Sequence, residues 1–89
     1  MSFSFAAAGT KEETLSSIAK AEVSGNTVGE SVKAFLTSLV EDDATKPDDT
    51  HDVKYSVTAS GHSDGGVGSG CYANIAFSTG FKPKPVPSA

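Results

Sequence analysis

Two runs of alternating side chains within residues 52–81 constrain the fold of this chain most strongly. In the first run, apolar residues take every second position from Val53 to Ala59, with Lys, Ser and Thr between them. The second run, residues 71–78, repeats this pattern. A period of two places successive side chains on opposite faces of a strand. The stretch therefore predicts an antiparallel hairpin with one buried face and one solvated face.

The solvated face of this predicted hairpin is rich in hydroxyl groups and nearly uncharged. Its candidate partner-binding residues are Ser56, Thr58, Ser60, Tyr72 and Asn74. An aromatic side chain among small polar groups resembles the anchor residues of protein interfaces. Simple exposure to solvent is the alternative interpretation. The hairpin tip, with His62 and Asp64, is the second candidate surface for binding a partner.

The loop between the two runs, residues 61–70, reads GHSDGGVGSG. Glycine lets backbone amides approach an anion closely, which suggests a phosphate-binding loop. The loop nevertheless lacks both the Lys-Ser/Thr ending and the GxGxxG spacing of such loops, and a strand follows it where those motifs need a helix. We therefore expect a hairpin tip, although loops of this length often bind partners. A small ligand-binding domain that uses this loop is a less favoured function.

The chain also contains the residue types of a metal site, in His51, His62, Asp64 and Cys71. Their spacing matches no zinc-binding pattern, and the alternation places Cys71 on the buried face. We expect a buried structural cysteine, two solvated histidines, no metal and no cofactor. A serine nucleophile beside His62 would need a base within reach and an oxyanion site, and the sequence indicates neither. We expect that the protein is not an enzyme.

The rest of the chain predicts one more strand and two helices. Residues 1–8 alternate and predict the first strand. Thr10-Lys11-Glu12-Glu13 forms a capping box and predicts a helix over residues 11–22. A second box, beginning at Thr27, precedes a predicted helix over residues 28–43 with a wide apolar stripe. We expect its acidic carboxyl end to fray, because negative charge is unfavourable there.

The order β-α-α-β-β predicts an α+β fold in two layers, a three-stranded, mainly antiparallel sheet with both helices on one face. Whether the first strand lies beside the second or the third is left open. Residues 1–81 form the predicted single domain, and the prolines in residues 82–89 predict a flexible tail. The predicted inward residues are Phe3, Phe5, Val53, Tyr55, Val57, Ala59, Ala73, Ile75 and Phe77.

Composition limits the partners that the chain is expected to bind. The net charge is −4 and all seven basic residues are lysines. Arginine is the preferred side chain for recognising phosphates and base edges, so its absence argues against nucleic acid. The single cysteine allows no intramolecular disulfide. Without a secretory signal or an apolar run of about 20 residues, we expect a soluble cytoplasmic protein that does not enter membranes.

Three short motifs, SFAAAGT at residues 4–10, VSGN at 23–26 and ASGH at 59–62, resemble in this layout small proteins encoded by actinobacteriophages. The resemblance spans most of the chain. It implies a phage product acting in the cytoplasm of a host bacterium, where many such proteins bind host proteins or each other, and it transfers no functional residue. The leading hypothesis is a non-enzymatic protein that binds a host protein or itself, most simply as a dimer. The alternative is a structural or decoration component of the virion.

Overall fold

A computed structural model describes residues 1–63 and 70–85 of the chain. The elements are, in order, β1 (Ser2–Gly9), α1 (Lys11–Lys20), α2 (Thr27–Asp42), β2 (His51–His62) and β3 (Tyr72–Pro83). The strands form one antiparallel sheet, and both helices pack on the same face of it. The predicted α+β fold is therefore confirmed.

The central strand of the sheet is β2, which pairs with β1 on one side and β3 on the other. The question left open by the sequence is thereby answered, because β1 lies beside β2 and antiparallel to it. The register places Ser2 and Tyr72 on either side of His62. At the other end of the sheet, Gly9 and Thr79 flank Tyr55 in the same way.

The strand β3 ends at Pro83, two residues beyond the predicted end of the domain at residue 81. Pro83 lies opposite His51, and the Lys84 N–H donates to the Thr50 carbonyl at 2.8 Å. Proline is tolerated here because β3 is an edge strand, where a missing N–H need not interrupt a ladder. The remainder of the predicted tail, residues 86–89, lies outside the described residues.

The junction between β1 and α1 is a tight turn followed by the predicted capping box. Gly9 has φ +123°, a conformation that side-chain-bearing residues rarely adopt. The Glu13 N–H donates to Thr10 Oγ1 at 3.1 Å, and the Thr10 N–H donates to Glu13 Oε1 at 3.0 Å. The capping box is thus confirmed, and the helix that it starts ends at Lys20.

The second helix begins with a cap that the sequence analysis placed wrongly. Asn26, not Thr27, is the N-cap, because its Oδ1 accepts from the Gly29 N–H at 2.8 Å. The same amide donates through Nδ2 to the Met1 carbonyl at 2.9 Å, so one buried side chain both caps α2 and ties it to the start of β1. Thr27 is instead the first helical residue, with its hydroxyl 3.4 Å from that of Ser63.

The hydrophobic core lies between the helices and the inner face of the sheet. The helix α1 packs over β1 and β2, whereas α2 packs over β2 and β3. Four of the predicted inward residues are buried (Phe3, Tyr55, Val57, Ala59), and three are partly buried (Phe5, Val53, Phe77). The helices add the fully buried side chains of Ile18, Leu36 and Val40.

The helix layer covers β3 only in part, and this corrects part of the predicted core. Ala73 and Ile75 were expected to be buried, but Ala73 is exposed and Ile75 is 41% exposed. The helix α2 begins beside β1, where Gly29 lies close to the Phe3 ring, and reaches β3 at Phe77. It therefore crosses the sheet obliquely and leaves the part of β3 that carries Ala73 and Ile75 uncovered. Cys71, also expected to be buried, is exposed because it precedes β3 and lies outside the ladder.

Each helix ends against a lysine from the other helix. Lys11 Nζ donates to the carbonyls of Glu41 at 3.3 Å and Asp43 at 2.9 Å, at the acidic end of α2 that we expected to fray. Lys33 Nζ donates to two carbonyls at the end of α1, both at 2.9 Å. A cation is favourable at each of these helix ends because it complements the helix dipole.

Candidate functional site

The face of the sheet opposite the helices, here called the outward face, carries small polar side chains in regular rows. The strand register sets one residue of each strand in each row. From one end to the other, the rows are Ser2–His62–Tyr72, Ser4–Ser60–Asn74, Ala6–Thr58–Ala76 and Ala8–Ser56–Ser78. Among the described residues, no helix or strand packs over this face. It is a flat surface three strands wide and available to a partner.

A pair of stacked rings forms one corner of the outward face. The centroids of the His62 and Tyr72 rings are 6.2 Å apart and the ring planes are inclined by 20°. Ser2 Oγ lies 3.2 Å from His62 Nδ1, across the neighbouring strand. Tyr72 nevertheless remains 59% exposed. The corner thus presents an aromatic ring held at an edge of a flat polar surface, which is the arrangement of an interface anchor.

The structure places six of the seven predicted partner-binding residues on this face. Ser56, Thr58, Ser60 and His62 occupy alternate positions of β2, and Tyr72 and Asn74 lie beside the last two of these on β3. His62 was expected at the hairpin tip, but His62 is the last residue of β2 and its side chain belongs to the outward face. The seventh residue, Asp64, lies outside the described residues, as does most of the glycine-rich tip.

The outward face contains two adjacent depressions of modest size. One, of about 250 Å³, is lined by Thr58, Ser60 and Asn74 with their neighbours. The other, of about 350 Å³, lies between Ser4, Ser60 and the ring of Tyr72. Both are open and lined by short side chains and backbone, unlike the deep apolar clefts in which proteins usually hold small molecules. Their shape suits the side chains of a docked protein better than a free ligand.

The residue types of a metal or catalytic site do not come together in the described residues. His51 and His62 are at opposite ends of β2, about 36 Å apart along an extended strand. A search of residues 1–63 and 70–85 finds no cluster of three His, Cys, Asp or Glu side chains that could hold a metal ion. His51 instead contacts Asp48 at 3.6 Å in the turn that leads into β2.

Three ionisable groups whose contact the sequence did not reveal meet at the end of α2. The Tyr55 hydroxyl donates to Asp43 Oδ1 at 3.4 Å, and Lys11 Nζ lies 5.9 Å from the centre of the Tyr55 ring. Burial, followed by the charge of Asp43, raises the pKa of Tyr55. Hydrogen bonds from Thr45 lower the pKa of Asp43. Tyr55 is 1% exposed, so this cluster joins the end of α2 to the buried face of the sheet.

A second surface, which the sequence analysis did not identify, lies on the helix side of β3. A groove of about 490 Å³ separates α2 from β3, with Phe35 and Leu39 on one wall and Phe77 on the other. Phe35 is 53% exposed. We call the apolar residues along this groove and strand the β3 strip, which consists of Phe35, Leu39, Ile75, Phe77 and Phe81. No local pattern in the sequence reveals it, because the gap depends on the direction in which α2 crosses the sheet, from Phe3 of β1 to Phe77 of β3.

Comparisons with protein-family models, curated proteins and solved structures find no match to this chain. The function of the chain is therefore inferred from its own residues. In the described part of the chain, neither helix has the length and the apolar character needed to cross a lipid bilayer.

Proposed function

We propose that this chain is a non-enzymatic binding protein that docks a protein partner on the outward face of its sheet. The observation that supports this is the combination of an uncovered, nearly uncharged three-stranded surface with an exposed, stacked Tyr72 at its corner. A surface of short side chains costs little conformational entropy when a partner orders it, and an aromatic anchor supplies much of the contact energy.

The carboxylates with a lowered pKa support a binding role rather than a catalytic one, because each of them serves the fold. Glu13 caps α1, Asp48 holds the turn before β2, and Asp43 accepts from Thr45 and Tyr55. Following the resemblance to small phage proteins, the proposed partner is a protein of the host bacterium and the proposed location is the host cytoplasm. The glycine-rich tip next to His62 is the expected extension of the same binding surface.

The test compares two variants that carry the same substitution on opposite sides of the molecule. Ser60→Lys places a charge at the centre of the outward face, and Ser17→Lys places one on the exposed surface of α1. Each chain is immobilised and exposed to a lysate of the host, and the captured proteins are quantified. We expect a protein that is enriched by the wild type and by Ser17→Lys, but at least about tenfold less by Ser60→Lys, because an unpaired buried charge costs more than 1.4 kcal/mol.

Equal capture by the two variants would contradict the proposal, since the outward face would then play no part. A Tyr72→Ala variant provides a second measurement with the purified partner. Loss of the anchor should weaken binding by about tenfold to a hundredfold.

A virion component is the second candidate, and the uncovered edge of β3 favours it. The unpaired backbone groups of such an edge form a template for a strand of another chain, as assembly into a particle would require. This role requires the protein to be present in purified particles at a fixed number of copies. Quantitative mass spectrometry of the particles tests it, and absence from them would exclude it.

A further inference from the structure

The two edges of the sheet differ in how well they are covered. Beside β1, the inward side chains of Phe3 and Ala7 are buried beneath the helices. Beside β3, the β3 strip remains open, with Ile75 41% exposed and Phe81 58% exposed. In the part of the chain that the structure describes, β3 pairs with β2 alone. The edge of β3 therefore combines unpaired backbone groups with uncovered apolar surface, the combination that favours strand pairing with another chain.

We propose that the β3 edge is the interface of a two-fold symmetric homodimer, in which the β3 strands of two copies pair antiparallel and the two β3 strips cover each other. The result is a six-stranded sheet with four helices on one face. This inference concerns the edge of β3 and its helix side, not the outward face, and it does not rest on the proposed function.

The pleat of the sheet limits the register of this pairing. Residues directly opposite one another in an antiparallel pair point to the same face. The two-fold axis must therefore lie between one residue and the same residue of the second copy. The registers that overlap β3 most fully place Phe77 opposite Phe77 or Ser78 opposite Ser78. The Phe77 register spans residues 72–82 and leaves Pro83, which has no N–H to donate, outside the ladder. It also sets the exposed Phe81 opposite the exposed Ala73 of the second copy.

The position of α2 fits a second copy. The helix contacts both β2 and β3. For a helix midway between two strands about 4.8 Å apart, pairing of the two β3 edges sets the α2 axes about 10 Å apart, which is the usual distance between packed helices. Phe35 and Leu39 share the groove with Phe77, so an axis through Phe77 brings them against their own symmetry mates. The dimer thereby covers the third strand of each copy.

The charges and the area of this surface also suit a second copy. In the groove, Asp42 and Asp43 lie at the end of α2, and an antiparallel α2 pair keeps the two Asp42 residues about 15 Å apart, beyond the screening length of about 8 Å. Phe35, Ile75 and Phe81 together expose about 300 Å² of mainly apolar surface. A stable complex buries roughly 800 Å² on each partner, so the dimer requires the strand edge and the flank of α2 to contribute the remaining area of roughly 500 Å².

The test is sedimentation of the full chain at several concentrations, with two variants that differ by one position on α2. Phe35→Glu puts a charge into the β3 strip, whereas Ala34→Glu puts the same charge on the exposed flank of α2 that faces away from β3. We expect the wild type and Ala34→Glu to form dimers, and Phe35→Glu to have a dissociation constant at least about tenfold higher. Circular dichroism shows whether each variant remains folded.

A second variant on the strand keeps the test decisive if Phe35→Glu does not fold. Ile75→Lys, on the exposed part of β3, should weaken the dimer in the same way. In a Cys71→Ser background, Phe77→Cys should form a disulfide across the axis, because directly opposite residues have Cα atoms about 5 Å apart, whereas Ser78→Cys should not.

Three results would overturn the proposal. A wild-type chain that stays monomeric up to about 1 mM has no such interface. A dimer that Phe35→Glu and Ile75→Lys leave intact uses another surface, such as the edge of β1 or the outward face. A disulfide through Ser78→Cys but not Phe77→Cys rejects the Phe77 register. Each of these outcomes is independent of the lysate experiment with Ser60→Lys, so failure of the dimer and failure of the partner surface can be told apart.

Discussion

At the scale of single residues, the closest packing in the sheet depends on a glycine. Gly61 is buried on the inner face of β2, between Phe3 of β1 and Ala73 of β3. A Cβ atom at this position would lie 2.7 Å from the Phe3 ring and would overlap the Tyr72 carbonyl. The side chain of Phe3 thus fills the space that any other residue at position 61 would occupy.

We predict that Gly61→Ala lowers the free energy of unfolding by about 1–3 kcal/mol, because the methyl group displaces the Phe3 ring or the β3 backbone. Gly80→Ala is the matched control, since a Cβ atom there meets nothing within 4 Å. It should be neutral or stabilising by about 0.5 kcal/mol. Urea unfolding of both variants measures the difference. Equal stability of the two variants would contradict the close packing of Gly61.

At the scale of elements, α1 and α2 stabilise each other through their ends as well as through their apolar stripes. Lys11 lies at the start of α1 and donates to carbonyls at the end of α2. Lys33 lies in α2 and donates to carbonyls at the end of α1. These hydrogen bonds between helices are possible because α1 and α2 pack against each other, with the end of each helix within reach of a lysine side chain of the other. Each lysine meets two carbonyl groups that have no partner within their own helix.

We predict that Lys33→Met destabilises the fold by about 1–2 kcal/mol, since it removes two charge-assisted hydrogen bonds while keeping most of the apolar stem. Lys20→Met removes an exposed lysine from the last turn of α1 and serves as the control. It should cost about 0.3 kcal/mol, the usual value for a general dipole effect. Thermal unfolding distinguishes the two. A similar loss in both variants would show that the specific bonds of Lys33 contribute nothing.

At the scale of the whole molecule, some features of the structure could be predicted from the sequence and others could not. The strands, the outward face and the Thr10 capping box follow from patterns within a few residues, so local reasoning finds them. The bond from Asn26 to the Met1 carbonyl spans 25 residues, and the exposure of Ile75 depends on the path of α2 from β1 to β3. These features arise from residues that are distant in sequence, so no pattern within a short stretch of sequence predicts them. The same reason explains why Cys71 was wrongly placed in the core and why the β3 strip was not foreseen.

The stability of the whole chain should depend on pH at both extremes. Hydrogen bonds lower the pKa of Glu13, Asp43 and Asp48 from ordinary values of 4.5, 3.8 and 3.8. The unfolded chain therefore takes up protons before the folded chain does, and stability is lost as the pH falls below about 5. Tyr55 has a pKa raised from 10.0, chiefly by burial, so stability also falls as the pH rises past 10.

Urea unfolding between pH 3 and pH 7 checks the acid side of this prediction. The free energy of unfolding should decline towards pH 3, and Asp43→Asn should make the decline shallower because one of the three shifted carboxylates is gone. An unchanged slope in Asp43→Asn would show that Asp43 does not contribute. Glu12→Gln, which removes an exposed carboxylate in the first turn of α1, is the control for the loss of one negative charge.

The pairing of β1 with β2 has a consequence for how the chain reaches this structure. The strands β2 and β3 are neighbours in sequence, so closing them is a short-range event. Ser2 and His62, by contrast, are 60 residues apart, with both helices between them. Pairing across such a separation carries a larger loop-closure entropy and is slow. When the full chain folds, we therefore expect the β2–β3 hairpin to close before β1 joins the sheet.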